Sequence, residues 1–179
     1  NVNAFAETPD GTIWVGTQNG LCRVRLPADL PAHNPDLSMV VVTEHLFWEH
    51  DDGSPLHANV FLDILLADNG ILWVGTGKDA YQFDPVSGAK TLLPVQESLD
   101  SKVRQKANYF TRGPDGSIWL GQFNRVIHCT NAGFDVFPLH RAKENYTAFL
   151  TFDLEGNLFV SRRKEISFYP KNALSRPAP

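Results

Sequence analysis

The stretch that decides the fold is residues 9–17, PDGTIWVGT, because similar stretches occur three more times along the 179-residue chain. In each copy a glycine lies three residues before an aromatic residue, and in three copies a second glycine follows two residues after it. The aromatic residues are separated by 59, 46 and 40 residues. Such a period is typical of arrays of similar structural units. The other copies are residues 68–76 (DNGILWVGT), 114–122 (PDGSIWLGQ) and 154–162 (LEGNLFVSR).

Each copy predicts a β-hairpin followed by a third strand. The Asp-Gly, Asn-Gly or Glu-Gly pair supplies the positive φ angle that a tight turn needs, and the run around the aromatic residue forms the second strand. A fourth strand is expected at residues 39–43, 91–95 and 134–139, but none is evident after residue 169. Residues 98–106 favour a helical turn. The repeat positions are Gly11, Trp14, Gly16, Gly70, Trp73, Gly75, Gly116, Trp119, Gly121 and, in the degraded fourth copy, Gly156 and Phe159.

Repeated four-stranded antiparallel units are the blades of a β-propeller, because one small sheet cannot bury both faces and must stack on its neighbours. The sequence therefore predicts an all-β fold of four consecutive four-stranded blades, at about residues 1–47, 58–96, 106–139 and 146–170. We expect an open arc of a larger propeller. We expect the four aromatic anchors to lie in the core between blades rather than in a ligand site.

The repeat resembles the two component regulator propeller repeat. The residues that carry the resemblance are the strand motif at 14–17 (WVGT) with the Gly-Leu pair at 20–21, and the strand motif at 73–76 (WVGT). The second copy has Asp-Ala where Gly-Leu is expected, the third has Gln122 and Arg125, and the fourth keeps only the turn. These departures leave the boundary of the array open.

The resemblance implies a sensor propeller of a bacterial hybrid two-component or histidine kinase regulator. It implies a periplasmic or otherwise extracytoplasmic domain whose parent protein continues into an immunoglobulin-like domain, a membrane span and an output module for phosphorelay. The expected partners are a small-molecule or glycan ligand, the rest of the parent protein and a homodimer partner. The chain begins within a predicted strand, so we expect a fragment of a longer protein.

Composition excludes some function classes. The net charge of −4 argues against nucleic acid as a direct partner, because phosphate binding needs a basic surface. No apolar run approaches the roughly 20 residues of a membrane span. Two cysteines, Cys22 and Cys129, fit neither a disulfide framework nor a zinc site and are expected as free thiols.

No residues stand out as catalytic, and we predict neither a metal site nor a cofactor. The most polar stretch, residues 44–57, carries three histidines and four carboxylates, but its spacing and its Gly-Ser-Pro segment indicate a solvated loop between blades. Residues 75–78 (GTGK) lack the first glycine and the Lys-Ser/Thr ending of a phosphate-binding loop and indicate a turn.

Ligands of propellers usually meet the face formed by the loops that join the second strand to the third. On that face the sequence offers Phe123 as an apolar platform, flanked by the hydrogen-bond donors Asn124 and Arg125, with Gln18 and Lys78 in the equivalent loops of other blades. These five residues are the predicted ligand-binding residues. The alternative is that these are ordinary loop residues that bind no ligand, since loops are generally polar and variable.

Two other functions remain open, because a propeller fold does not select among them. The chain could be a scaffold for protein interaction or dimerisation, which a large apolar patch on a propeller face, away from the cut edges of the array, would favour. It could also be an enzyme like the virginiamycin-lyase-like propellers, which a cluster of histidines and glutamates near the axis would favour. We predict that this chain alone is not an enzyme.

Overall fold

A computed structural model of the chain describes residues 1–27, 41–49, 59–95, 108–122, 125–130, 133–138, 149–162 and 165–174. The described residues form four antiparallel sheets in chain order, which confirms the predicted all-β propeller fold. Their last element is a 3-10 turn at Lys171–Ala173. The helical turn predicted at residues 98–106 lies outside the described residues.

Each sheet is a meander in which consecutive strands pair, and we call the sheets blades 1 to 4. Blade 4 has three strands in the described part of the chain, in keeping with the absence of a fourth-strand signal after residue 169. The strands are β1 (Val2–Glu7), β2 (Thr12–Thr17), β3 (Gly20–Arg25) and β4 (Val41–Leu46) in blade 1; β5 (Phe61–Leu66), β6 (Leu72–Thr76), β7 (Ala80–Phe83) and β8 (Lys90–Leu92) in blade 2; β9 (Tyr109–Arg112), β10 (Ile118–Gln122), β11 (Arg125–Thr130) and β12 (Gly133–Pro138) in blade 3; and β13 (Phe149–Phe152), β14 (Leu158–Arg162) and β15 (Glu165–Tyr169) in blade 4.

The fourth strands are the elements whose bounds differ most from the prediction. β4 begins at Val41 and runs to Leu46, so it takes in polar residues that the sequence pattern assigned to the following loop. β8 ends at Leu92, so the predicted residues 93–95 lie beyond the strand, although the N–H of Leu93 still donates to the carbonyl oxygen of Ala80 at 2.8 Å. Fourth strands pair along one edge only, so their extent depends on the third strand that they meet and less on their own apolar pattern.

The turn glycines are equivalent in all four blades, as predicted. The φ angles of Gly11, Gly70, Gly116 and Gly156 are 76°, 81°, 82° and 87°. Each of these glycines donates its N–H to the carbonyl three residues earlier, at 2.9 to 3.1 Å. A residue with a Cβ rarely adopts this left-handed backbone conformation, so the turn requires glycine.

The blades pack face to face by one rule. We call the side of a blade that bears its aromatic anchor the trailing face, and the opposite side the leading face. The trailing face of each blade packs against the leading face of the next, and three hydrophobic clusters fill the three seams. An anchor ring meets an aromatic ring of the next blade at each seam, and the pairs are Trp14 with Phe83, Trp73 with Phe110 and Trp119 with Phe152.

Burial confirms that the three tryptophan anchors belong to the core. Trp14, Trp73 and Trp119 are 2%, 8% and 5% exposed. Phe159, the anchor of blade 4, is only half-buried. The difference follows from the packing rule, because the trailing face of blade 4 has no further blade against it in the described part of the chain.

The second glycine of the repeat lies where neighbouring blades approach most closely. A Cβ at Gly16 would lie 3.1 Å from the Cβ of Phe61, and one at Gly75 would overlap the carbonyl oxygen of Asn108. Phe61 begins the first strand of blade 2, and Asn108 directly precedes the first strand of blade 3. Glycine at this position therefore sets the distance between blades.

Candidate functional site

The loops between second and third strands lie at one end of the stacked blades, which we call the connector face. They are residues 18–19 in blade 1 and 77–79 in blade 2, and in blade 3 the loop falls between the described residues Gln122 and Arg125. The opposite end, with the turns of Gly11, Gly70, Gly116 and Gly156, is the turn face. Of the five predicted ligand residues, Gln18 and Lys78 lie in loops of the connector face and Arg125 begins the strand β11. Ligand binding by these five residues stays a prediction.

A buried polar network underlies the connector face between blades 2 and 3. The side-chain amide of Asn108, which is fully buried, donates to the carbonyl oxygens of Thr76 and Asp79, both at 3.0 Å. Gln122 donates to the Asn108 side-chain oxygen at 2.6 Å, and Arg125 Nε donates to Gln122 Oε1 at 2.8 Å. Through Asn108, which directly precedes β9, the network connects the loop of blade 2 to the facing ends of β10 and β11 in blade 3.

Arg125 has an internal role that the sequence did not suggest. Its side chain is 6% exposed, and the guanidinium also donates to the carbonyl oxygen of Val95 at the end of blade 2. Burial removes water from the charged group and lowers its pKa. Arg125 stands where the family repeat has glycine, and Gln122 stands where it has threonine. The two departures from the repeat are therefore both part of this buried network, which we call the polar seam.

The other predicted ligand residues have different surroundings. Gln18 and Lys78 are exposed at the tips of their loops. The Lys78 loop is well ordered by its own hydrogen bonds, since the hydroxyl of Thr76 accepts the N–H groups of Lys78 and Asp79 at 3.3 and 2.8 Å. Phe123 and Asn124 lie outside the described residues and remain predictions.

The first strands of the blades make further contacts between blades, and no sequence motif predicts these contacts. Asn3 donates its side-chain amide to the carbonyl oxygen of Phe61 at 2.8 Å, and Asp63 accepts the N–H of Phe110 at 2.6 Å. Desolvation raises the pKa of Asp63, against the effect of two backbone hydrogen bonds. Tyr109 and Phe149 bring their ring centroids to 4.1 Å. These contacts join the first strands of neighbouring blades.

A groove between blades 1 and 2 opens on the turn face, where the sequence did not predict a site. It consists of two adjoining cavities of about 300 and 330 Å³ that share Trp14, Arg23, Pro85 and Val86. Arg23 lies 5.7 Å from the centre of the Trp14 ring and 3.8 Å from Glu44. In this groove the side chain of Arg23 lies over the anchor ring of blade 1 and lines both cavities.

Nothing described assembles a catalytic or metal centre. Within the described ranges no three His, Cys, Asp or Glu side chains are placed to hold a metal ion. His45 is on strand β4, with Nε2 at 2.6 Å from the carbonyl oxygen of Asn19. His50 and His57 lie outside the described residues. Desolvation raises the pKa of the Cys129 thiol to about 12, so this thiol is a poor nucleophile.

Comparison with known proteins finds one matching protein family and several solved structures of similar fold. The two component regulator propeller family matches residues 1–19, which confirms the resemblance in the first copy of the repeat. No curated protein sequence matches the chain. No helix among the described residues is long and apolar enough to cross a membrane.

In structure, the chain is similar to extracellular domains of two putative hybrid two component systems from B. thetaiotaomicron. One is 17% identical with a TM-score of 0.64, over 94% of this chain and 21% of that one. The other is 15% identical with a TM-score of 0.66, over 99% of this chain and 23% of that one. The chain thus spans about a fifth of these domains. At such identities the similarity shows the propeller fold.

The same fold occurs in an enzyme. The chain is similar to a catalytically inactive variant of virginiamycin B lyase from Staphylococcus aureus, with 18% identity and a TM-score of 0.59, over 98% of this chain and 57% of the lyase. The fold therefore does not separate a binding domain from an enzyme.

Proposed function

We propose that this chain is part of a ligand-sensing propeller of a bacterial two-component signal transduction protein, on the extracytoplasmic side of the membrane. The observation that carries the proposal is the match of residues 1–19 to the two component regulator propeller family. The likeness to extracellular domains of two-component systems supports it. The chain binds a small molecule or glycan and does not transform it, and an output module elsewhere in the parent protein carries the signal.

The connector face is the proposed binding surface. It presents the exposed side chains of Gln18 and Lys78 above a fully bonded polar seam. A rigid floor favours binding, because less conformational freedom is lost when a ligand docks. The amide and ammonium groups would hydrogen-bond hydroxyls or a carboxylate of a sugar. By position, Phe123 and Asn124 would extend the same surface.

The experiment is isothermal titration calorimetry of the chain against a panel of neutral and acidic oligosaccharides. For any glycan that binds, Lys78→Ala weakens binding about tenfold, since a hydrogen bond to a charged group contributes about 1.5–3 kcal/mol. Phe123→Ala weakens it further by removing the apolar platform. The matched control is Lys171→Ala, which makes the same change in charge beside Gly156 on the turn face.

Other results would contradict the assignment. Equal affinities of wild type and both connector-face variants, combined with weaker binding of Lys90→Ala, would move the site to the groove on the turn face, which Lys90 lines. Binding of no glycan in the panel would remove the glycan from the proposal. Release of cleaved product during the titration would show that the chain is an enzyme.

A further inference from the structure

The groove between blades 1 and 2 holds a buried hydrogen-bond donor that has no acceptor among the described residues. Trp14 lines both cavities of the groove and is 2% exposed, and its Nε1 atom is buried without a hydrogen-bond partner. In blade 3 the equivalent donor, Trp119 Nε1, bonds to the hydroxyl of Ser117 at 3.1 Å. The residue that matches Ser117 in blade 1 is Thr12, whose hydroxyl donates to Asp10 at 2.9 Å instead. An unpaired buried donor is costly, so an acceptor supplied by a ligand would be bound favourably here.

The geometry of blade 3 shows where this donor points. A Cβ at Gly113 would lie 2.8 Å from Trp119 Nε1, so this edge of the indole faces the turn of its own blade. The residue that matches Gly113 in blade 1 is Thr8, six residues before the anchor. Thr8 and Trp14 line the first cavity together. By this equivalence the donor edge of Trp14 faces the cavity wall at the turn face.

Two cationic side chains line the same groove. Arg23 lines both cavities, and its guanidinium carbon lies 5.7 Å from the centre of the Trp14 ring. Lys90 lines the second cavity, with its ammonium group 5.8 Å from the centre of the Tyr81 ring. A guanidinium beside an indole N–H presents hydrogen-bond donors to one small space, which suits an anionic acceptor group.

The two carboxylates of the groove are already engaged. Asp10 accepts hydrogen bonds from the hydroxyls of two threonines in its own turn, which lower its pKa to about 2, and it lies 3.7 Å from Arg25. Glu44 lies 3.8 Å from Arg23, and both side chains are partly exposed. Such an ion pair contributes little, so a ligand carboxylate can share the guanidinium with Glu44.

The remaining walls are aromatic or apolar and well ordered. Phe83 meets Trp14 edge to face with ring centroids 5.2 Å apart, and Trp48 lies 5.4 Å from Phe83. Val86 stands at the rim in a turn where Asp84 accepts its N–H at 2.8 Å. The two cavities, of about 300 and 330 Å³, have the size of small-molecule sites.

We propose that this groove binds a small aromatic carboxylate, with its ring against the apolar walls and its carboxylate between Arg23 and the N–H of Trp14. The ion pair with the guanidinium fixes the orientation, and the indole donor gains the acceptor that it lacks. This inference does not rest on the proposed ligand of the connector face, because the groove opens at the opposite end of the blades.

The first test is calorimetric titration of the 179-residue chain with benzoate, phenylacetate and indole-3-acetate, and with their uncharged amides. At least one acid is expected to bind, and its amide to bind about tenfold more weakly or less. Arg23→Gln should weaken binding of the acid about tenfold or more. Gln82 has this position in blade 2, so the blade tolerates glutamine there. The matched control, Arg112→Gln, removes the same charge beside the next turn and leaves the affinity unchanged.

The second test changes the charge of the rim without touching the core. Val86 is 95% exposed, so neither Val86→Asp nor Val86→Lys disturbs the packing. For a carboxylate ligand, aspartate should weaken binding and lysine should strengthen it, each by about two- to fivefold, because the charges interact at an exposed site.

The third test observes the buried donor directly. In a proton–nitrogen NMR spectrum the indole N–H signal of Trp14 should shift downfield when the acid binds, because it gains a hydrogen bond. Trp14→Phe identifies that signal by its loss and should weaken binding about fivefold. Phe159 has this position in blade 4, so phenylalanine is compatible with the strand.

Four outcomes would overturn the proposal. Binding of none of the acids would exclude this ligand class. Equal affinity for acid and amide, or the opposite order of the two Val86 variants, would show that the groove does not recognise an anion. Wild-type affinity in Arg23→Gln, with weaker binding in Lys78→Ala, would place the carboxylate on the connector face. An unmoved Trp14 signal at saturation would show that the indole does not contact the ligand.

Discussion

Blades 2 and 4 share the same turn, yet their trailing faces differ in almost every respect. The trailing face of blade 2 has Trp73 at 8% exposure, Gly75 against Asn108 and a bonded polar network behind it. The trailing face of blade 4 has a half-buried Phe159 and an exposed Ser161. The hairpin itself requires the turn. Close packing of the next blade requires the tryptophan and the second glycine of the trailing face. Blade 4 therefore keeps what its own hairpin requires while lacking the tryptophan and the second glycine of the repeat.

The largest effect that would test this comparison comes from adding one methyl group at the second glycine of blade 2. Gly75→Ala inserts a Cβ into the carbonyl oxygen of Asn108, so the seam between blades 2 and 3 must open. We expect a loss of about 3 kcal/mol in the free energy of unfolding, at the upper end of overpacking effects. Chemical denaturation monitored by tryptophan fluorescence measures it.

The control removes one hydroxyl group at the equivalent position of blade 4. Ser161→Ala changes an exposed side chain, so we expect a change within about 0.5 kcal/mol. Similar losses for Gly75→Ala and Ser161→Ala would show that the two faces carry the same constraint and would break the comparison.

A smaller effect is expected from the polar seam. Asn108→Ala leaves the carbonyl oxygens of Thr76 and Asp79 and the amide of Gln122 without this partner in a buried site. We expect a destabilisation of about 2 kcal/mol, measured by the same denaturation experiment. Asn3→Ala, the same substitution at the seam between blades 1 and 2, removes one partly buried bond and should cost about 1 kcal/mol or less. A larger loss for Asn3→Ala would contradict this order.

The sequence predicted the blades because their signals are local. The turn glycines, the period of the repeat and the alternation in the second and third strands each depend on neighbours along the chain. The polar seam depends on residues far apart in sequence, since Asn108 bonds to the carbonyl oxygens of Thr76 and Asp79 in another blade. Arg125 was predicted as a donor to a ligand because a charged residue in a loop normally faces water. Its burial could have been suspected from one signal only, the replacement of glycine at a position that the repeat keeps small.

The turns should remain alike at neutral pH and differ only in acid. In blade 2, the Asn69 side-chain oxygen accepts the N–H of Ile71 at 3.1 Å, and this amide does not titrate. In blade 4, Asp153 accepts the N–H of Asn157 at 2.8 Å, and hydrogen bonds from the Asn157 side chain and backbone hold the pKa of Asp153 below 3.8. A carboxylate whose pKa is lowered by folding stabilises the folded state above its unfolded pKa, and this contribution is lost as the pH falls through the folded pKa.

We therefore expect the turn of blade 4 to weaken as the pH is lowered below 3.8, while the turn of blade 2 holds. The measurement is an NMR titration of backbone amides from neutral pH into this acid range. The Asn157 amide should shift with a single lowered pKa, and the Ile71 amide should move much less. Asp153→Asn replaces the carboxylate of this turn with an uncharged side-chain acceptor and should abolish the Asn157 titration. If the Asn157 amide still titrates in that variant, another carboxylate controls the turn and the two hairpins are not equivalent.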